Sequence, residues 1–175
     1  DVYNPAHFAP VVQDWLAATA QRYGIWVFAG SIPLTASVPD RMRNAMLVFD
    51  PDGNLYATEI TEGRVSVRAP DGTTRVLCGD MPGANPITFH QGRLFAGECR
   101  PDGRIMQLDL DGGAPRILLE NVPMPNAMEV GPDGMLYFPV MGANEIWRIN
   151  PDGGAPEKVA GDLGVPDAVK FDAQG

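Results

Sequence analysis

Asn85, Asn126 and Asp167 stand 41 residues apart, each beside a proline. Two carboxamide oxygens and a carboxylate are hard donors, which suits Ca2+ or another hard divalent ion rather than a thiolate-seeking metal. The same residue types beside proline at a strand start also cap turns through bonds to nearby backbone, so a capping reading stands beside the metal reading. Asn44 keeps the spacing, but its segment fits a second pattern given below, and it is not counted as a ligand. Glu59 and Glu98 occupy equivalent places after Leu-Tyr-Ala-Thr and Leu-Phe-Ala-Gly; they are candidates to touch a substrate at the same mouth, with solvated loop carboxylates as the alternative. His7 and His90 are isolated, and no His-Ser-Asp or His-metal constellation can be built from them. Cys78 and Cys99 lie 21 residues apart without CxxC spacing, which reads as two small buried hydrophobes rather than a disulfide.

The elements that would position these residues come from a repeat. Asn126-Ala-Met-Glu-Val-Gly-Pro-Asp-Gly-Met-Leu-Tyr137 echoes Asn44-Ala-Met-Leu-Val-Phe-Asp-Pro-Asp-Gly-Asn-Leu-Tyr56, and Asn85-Pro-Ile-Thr-Phe-His-Gln-Gly-Arg-Leu-Phe95 is a copy with a shortened turn. Val165-Pro-Asp167 opens a fourth. Each copy reads as an apolar run, a Gly-containing turn, a Leu-Tyr or Leu-Phe run, an alternating run and a final short run. The alternating runs are 64–68, 104–109 and 145–150, and alternation with Asp-Gly turns is the hairpin signature. The turns at Asp52, Asp71, Asp102, Asp111, Asp133 and Asp152 are hairpin chemistry. About four strands in ~40 residues make a β-propeller blade. The innermost strand of each blade lines the central channel, so Asn85, Asn126 and Asp167 are expected to converge near one mouth.

Residues 1–43 match no copy. Val12, Trp15, Leu16, Thr19 and Tyr23 fall at helical spacing, which predicts a helix from about residue 10 to 23, followed by a buried strand Ile25 to Ala29. The 175-residue chain carries a net charge of −9, which argues against nucleic acid and anionic membrane as partners. No apolar stretch approaches the ~20 residues of a membrane span, and no basic region opens the chain, so a cytoplasmic location is expected, with an earlier, removed signal peptide as the alternative. With 20 Gly and 17 Pro the chain is too rich in turn formers for a helical bundle.

Pro125-Asn126-Ala-Met-Glu-Val-Gly-Pro-Asp-Gly-Met-Leu-Tyr, the run Ile146-Trp147-Arg-Ile-Asn-Pro-Asp-Gly-Gly, and Val165-Pro166-Asp167 resemble the SMP-30/gluconolactonase-like six-bladed propellers, and NHL-type propellers share the phrasing. The resemblance implies a mainly β fold: a partial β-propeller of three blades plus the start of a fourth, with a short N-terminal α/β segment. It implies metal-assisted hydrolysis of a sugar lactone or similar small ester. One divalent ion would be held by a Glu from an early blade, two Asn and one Asp. Ca2+ is the expected ion, with Zn2+, Mn2+ or Mg2+ as alternatives, and the Glu-bearing blade is not found here. By resemblance Asp167 would ligate the ion and act as general base. Ala127 and Ala168 depart from the family's usual Gly, Pro86 from a common Asp, and no Arg precedes Asn85 by two residues. The other reading from this likeness is a non-catalytic NHL-like module that binds a ligand without metal.

Residues 1–53 resemble an internal stretch of the nitrilase (carbon-nitrogen hydrolase) superfamily, through Tyr-Gly-Ile-Trp-Val-Phe-Ala-Gly-Ser-Ile-Pro and Asn44-Ala-Met-Leu-Val-Phe-Asp-Pro-Asp-Gly53. None of that family's catalytic residues carries over. Both patterns share residues 44–53, which leads us to expect a chimera or mis-joined fragment with a nitrilase-like segment 1–43 and propeller blades 44–175; a propeller with a divergent extension is the alternative. An arc that stops within its fourth blade is expected to hydrolyse lactones poorly and to associate through open blade edges.

Overall fold

The computed structural model describes residues 5–35 and 42–172, with side chains over 11–29 and 46–172. The side chains of His7 and Asn44 and the last three residues, 173–175, lie outside the described residues. By its contacts the chain forms two compact units, residues 1–58 with 65–76, and residues 59–64 with 77–175.

In the first unit, helix α1 (Pro5–Tyr23) packs one stripe onto a sheet. Leu16 and Ala20, one turn apart, are buried against Leu47 and Phe49, with Val12 and Ala17 beside them. Gly24 ends the helix at φ 61°: its N–H reaches the Gln21 carbonyl and that of Ile25 reaches Ala20, a Schellman closure. The helix begins at Pro5 rather than near residue 10, so Pro10 is its sixth residue and cannot donate to the Ala6 carbonyl.

The sheet that receives α1 has the order β1-β2-β3-β4-β5, with β1 (Val27–Thr35), β2 (Met42–Phe49), β3 (Leu55–Glu59), β4 (Arg64–Arg68) and β5 (Thr74–Cys78). Strand β1 is not the buried strand expected over 25–29. It starts at Val27, and Ile25 and Phe28 are each 46% exposed. The reason is its place at the sheet edge with a helix on one face only: Val27 and Ala29 turn inward and the two-residue period turns Phe28 out. β2 pairs with β1 from Val27↔Phe49 to Thr35↔Met42 and with β3 over Leu47–Phe49, so residue 43, the expected boundary, lies inside a strand and pairs with Leu34 of β1.

The second unit holds two four-stranded antiparallel sheets. One is β6 (Ala84–His90), β7 (Arg93–Glu98), β8 (Gly103–Leu108) and β9 (Arg116–Val122); the other is β10 (Glu129–Val130), β11 (Leu136–Val140), β12 (Glu145–Ile149) and β13 (Glu157–Ala160). They share a core in which Phe95, Ile105 and Val122 meet Met128, Leu136, Phe138, Val140 and Ile149. The meanders β2–β5, β6–β9 and β10–β13 are the three expected blades, and the alternating runs are their third strands, β4, β8 and β12. β10 keeps only two residues, because the chain ahead of it leaves the ladder: Pro125 makes a single bridge to Val140 and Asn126 bonds Pro139. The fourth copy forms no strand among the described residues. It still follows the register, since Lys170 pairs with Glu129, 41 residues earlier, and Phe171 packs edge-on against Tyr137.

Turn chemistry explains the repeated Asp-Gly phrase. The side-chain oxygens of Asp50, Asp71, Asp109, Asp133 and Asn150 each accept the backbone N–H two residues on, at 2.8–3.1 Å. The shortened turn of the second blade is a two-residue hairpin in which Gln91 (φ 48°) and Gly92 (φ 79°) are both left-handed, between the paired His90 and Arg93.

Two glycines separate space from conformation. A Cβ on Gly103 would lie 2.1 Å from the Glu98 carbonyl oxygen and 2.7 Å from Pro125 Cδ, whereas Gly134 has φ 76° and nothing within 4 Å. Gly103→Ala is expected to destabilise by about 3 kcal/mol. Gly134→Ala is expected to cost about 1 kcal/mol. Urea-denaturation midpoints check both, and equal shifts would contradict the assignment.

Candidate functional site

Asn85, Asn126 and Asp167 come together in the second unit as one hydrogen-bonded row. Asn85 Nδ2 donates to Asn126 Oδ1 at 2.8 Å, and Asn126 Nδ2 donates to Asp167 Oδ1 at 2.5 Å. The amides are half-buried and Asp167 is exposed, so the row runs outward from the start of β6 to the segment after β13. Local backbone bonds seat the first two members. The Cys99 N–H binds the Gly83 carbonyl at 2.8 Å, two residues before Asn85; the Met124 N–H binds the Arg100 carbonyl at 2.9 Å, two residues before Asn126. Asn126 N–H itself reaches Pro139 at 3.1 Å.

The row offers oxygen donors and a single carboxylate, a donor set that matches a hard divalent cation in kind. Among the described residues no three His, Cys, Asp or Glu side chains gather as a metal cluster, so a cation here would rely on amide oxygens.

Glu59 and Glu98 are not solvated loop carboxylates. Glu98, at the end of β7, is fully buried and presents no surface to a ligand. Its Oε2 accepts Arg104 Nε (3.0 Å), the Arg104 backbone N–H (3.1 Å) and Arg100 Nε (3.2 Å), while Oε1 accepts Arg104 Nη2 at 2.5 Å. Burial alone would push this carboxyl up, but the hydrogen bonds from Arg104 and Arg100 outweigh it and hold the group below its ordinary value. Glu59 makes a bidentate pair with Arg64 at 2.9 and 2.8 Å. In both cases an arginine five or six residues on, at the start of the next strand, comes back across the hairpin. Sequence reasoning saw the equivalent glutamates and missed these partners, although Gly-Arg opens the third strand in both copies.

Cys99 was also missed as a neighbour of the row. It is half-buried and hydrogen-bonded to Asn85; burial pushes its thiol up, the Asn85 bond lowers it in part, and the Asp167 charge raises it further. The thiol is therefore protonated at neutral pH, which disfavours a nucleophilic role. Cys78 is buried, and both cysteines are free. His90 ends β6 at the tight turn.

No family model and no curated protein matches the chain. Solved structures do. A chain of a nidogen–laminin complex is 16% identical with a TM-score of 0.63, over 85% of this chain and 82% of that one. Virginiamycin B lyase from Staphylococcus aureus is 20% identical with a TM-score of 0.57, over 77% of this chain and 52% of that one. A gluconolactonase from Xanthomonas campestris is 21% identical with a TM-score of 0.51, over 77% and 56%. The chain thus spans about half the length of the lyase and of the lactonase. These neighbours are β-propellers, and at such identities the likeness establishes the fold. Nothing in it supports the resemblance of residues 1–53 to the carbon-nitrogen hydrolases. No helix among the described residues is long and apolar enough to cross a membrane.

The Glu98 pair makes stability depend on acid. Because the folded carboxyl is held below its ordinary 4.5, its contribution is present above that pH and is lost as pH falls through and below it. Glu98→Gln is expected to destabilise by about 3 kcal/mol at pH 7, since Arg104 loses its buried counter-charge. It should also flatten the acid limb of the stability–pH curve, measured by denaturant unfolding from pH 7 downward.

Proposed function

We propose that the Asn85–Asn126–Asp167 row is the cation-binding edge of a hydrolase that opens sugar lactones or similar small esters. The observation that carries this reading is the row itself: three oxygen-bearing side chains, 41 residues apart in pairs, meeting side by side. The resemblance of the Asn126 and Asp167 motifs to SMP-30-like lactonases supports it, as does the likeness to a gluconolactonase. A divalent cation bound there, Ca2+ in the first instance and Zn2+, Mn2+ or Mg2+ otherwise, would polarise the carbonyl under attack.

The chain's own groups do the rest. The Asp167 carboxylate, exposed at the outer end of the row, takes a proton from the water whose oxygen attacks the carbonyl carbon. Asn126 Nδ2 holds that carboxylate through its hydrogen bond and fixes which oxygen faces outward. As the ring C–O bond breaks, the proton passes from Asp167 to the departing alkoxide, giving the hydroxy acid.

A second reading is a binding module without metal. It is favoured by one observation, that the three side chains already satisfy one another as amide to amide to carboxylate. The likeness to a chain of a nidogen–laminin complex is compatible with it. Cation binding has to add metal–oxygen contacts beside those two bonds, which is where the readings part.

Calorimetric titration with Ca2+, then Zn2+, Mn2+ and Mg2+, decides between them. One site is expected, with affinity falling at least about tenfold in Asp167→Asn as the only carboxylate of the row is lost. No heat with any of the four ions, or binding unchanged in Asp167→Asn, favours the module and overturns the hydrolase.

A further inference from the structure

The residue two places before each member of the row has a left-handed backbone: Gly83 at φ 75°, Met124 at 55° and Val165 at 49°. The repeat of 41 residues thus extends to a dihedral angle. In each copy the side chain two places on from this residue is the member of the row. In the first copy glycine adopts this conformation without strain, and in the second the unbranched Met124 does so with its N–H bound to the Arg100 carbonyl at 2.9 Å. The third is the costly case. Val165 is β-branched, which makes a left-handed φ a genuine outlier, and it precedes Pro166, which restricts it further.

One side chain compensates for this strain. Asn144 Oδ1 accepts the Val165 N–H at 3.0 Å, and the Asn144 carbonyl accepts the N–H of Leu163, also at 3.0 Å. Asn144 stands immediately before β12, as the left-handed Gly63 (φ 64°) stands immediately before β4, whereas in the second blade Gly103 opens β8 itself. It is itself left-handed (φ 59°, ψ 40°), a conformation that asparagine tolerates. It therefore takes the backbone position that Gly63 has in the first blade while adding an acceptor the glycine lacks. That acceptor takes the part which the Arg100 backbone carbonyl plays for Met124.

We propose that Asn144 is the positioning residue for Asp167: by accepting the Val165 N–H it holds that valine left-handed and so keeps the Asp167 carboxylate at the end of the row. Its bearing on cation binding rests on the reading given above; its effect on the row does not.

The test separates the two. The Asn126 side-chain amide, which donates to Asp167, gives a proton signal readable in 15N-labelled protein without any cation. Asn144→Ala is expected to remove its hydrogen-bonded downfield shift and to weaken Ca2+ binding about tenfold, the scale of strain at such a residue. Adding Val165→Gly in the same chain removes the strain and is expected to restore the signal and the affinity, which a general loss of stability would not allow. Val165→Gly alone should keep the signal and raise the denaturation midpoint. An Asn126 signal unmoved by Asn144→Ala, or unrestored in the double variant, overturns the proposal. Where Asn144→Ala does not fold, the double variant against Val165→Gly decides by the same signal. A wild-type chain that binds no cation overturns the cation reading alone, because the amide signal still reports on Asn144.

Discussion

A fully buried carboxylate held by two arginines is the constraint on which the second unit depends. Glu98 takes four hydrogen bonds from Arg100 and Arg104, and leaving its carboxylate unmatched inside the protein would cost far more than the pair gains. The geometry around it is correspondingly fixed. Glu98 pairs with Ala84 at the start of β6, so the ion pair sets the level from which Asn85 projects. Its neighbour Cys99 bonds Gly83, and the Arg100 carbonyl bonds Met124. One buried group therefore locates two of the three members of the row, through backbone bonds within two residues of each.

Close packing keeps that arrangement from relaxing. Gly103 leaves no room for a side chain between the Glu98 carbonyl and Pro125, and Pro125 precedes Asn126. The third blade has no such ion pair at the equivalent place, where Val140 is buried in the shared core. There the row's last member, Asp167, hangs from a strained valine and an asparagine acceptor. Buried charge anchors the inner end of the row, whereas the outer end rests on exposed contacts, the Asn144 bonds to Leu163 and Val165 and the Lys170–Glu129 pair, so the outer end is the part a small change can move.

Much of this was legible in the residues. The interval of 41 and the Asp-Gly phrases are local signals, because a hairpin turn is built by an Asp or Asn bonding the backbone two residues away. The third strands β4, β8 and β12 match the alternating runs to within a residue or so for the same reason: an alternating run bounded by turn residues is a signal among neighbours in sequence. Convergence of Asn85, Asn126 and Asp167 followed from register. The errors came where an element's surroundings decide its exposure. Five consecutive apolar residues, Ile25 to Ala29, read as a buried strand, but β1 lies at a sheet edge and leaves Phe28 facing out.

The sequence by itself determined the repeat unit, the strand order within each blade and the register that aligns the three polar residues, since all of these are written in spacings of a few residues or in a fixed period. Tertiary structure alone decided that Glu98 is buried and matched by Arg100 and Arg104, that Cys99 sits beside Asn85, and that Asn144 reaches Val165 across 21 residues. Composition cannot distinguish a glutamate in water from one in a core, nor an asparagine that ends a turn from one that also supports a strained loop. Burial and hydrogen bonding are properties of pairs, and the partners of these pairs meet only after the strands between them have folded back.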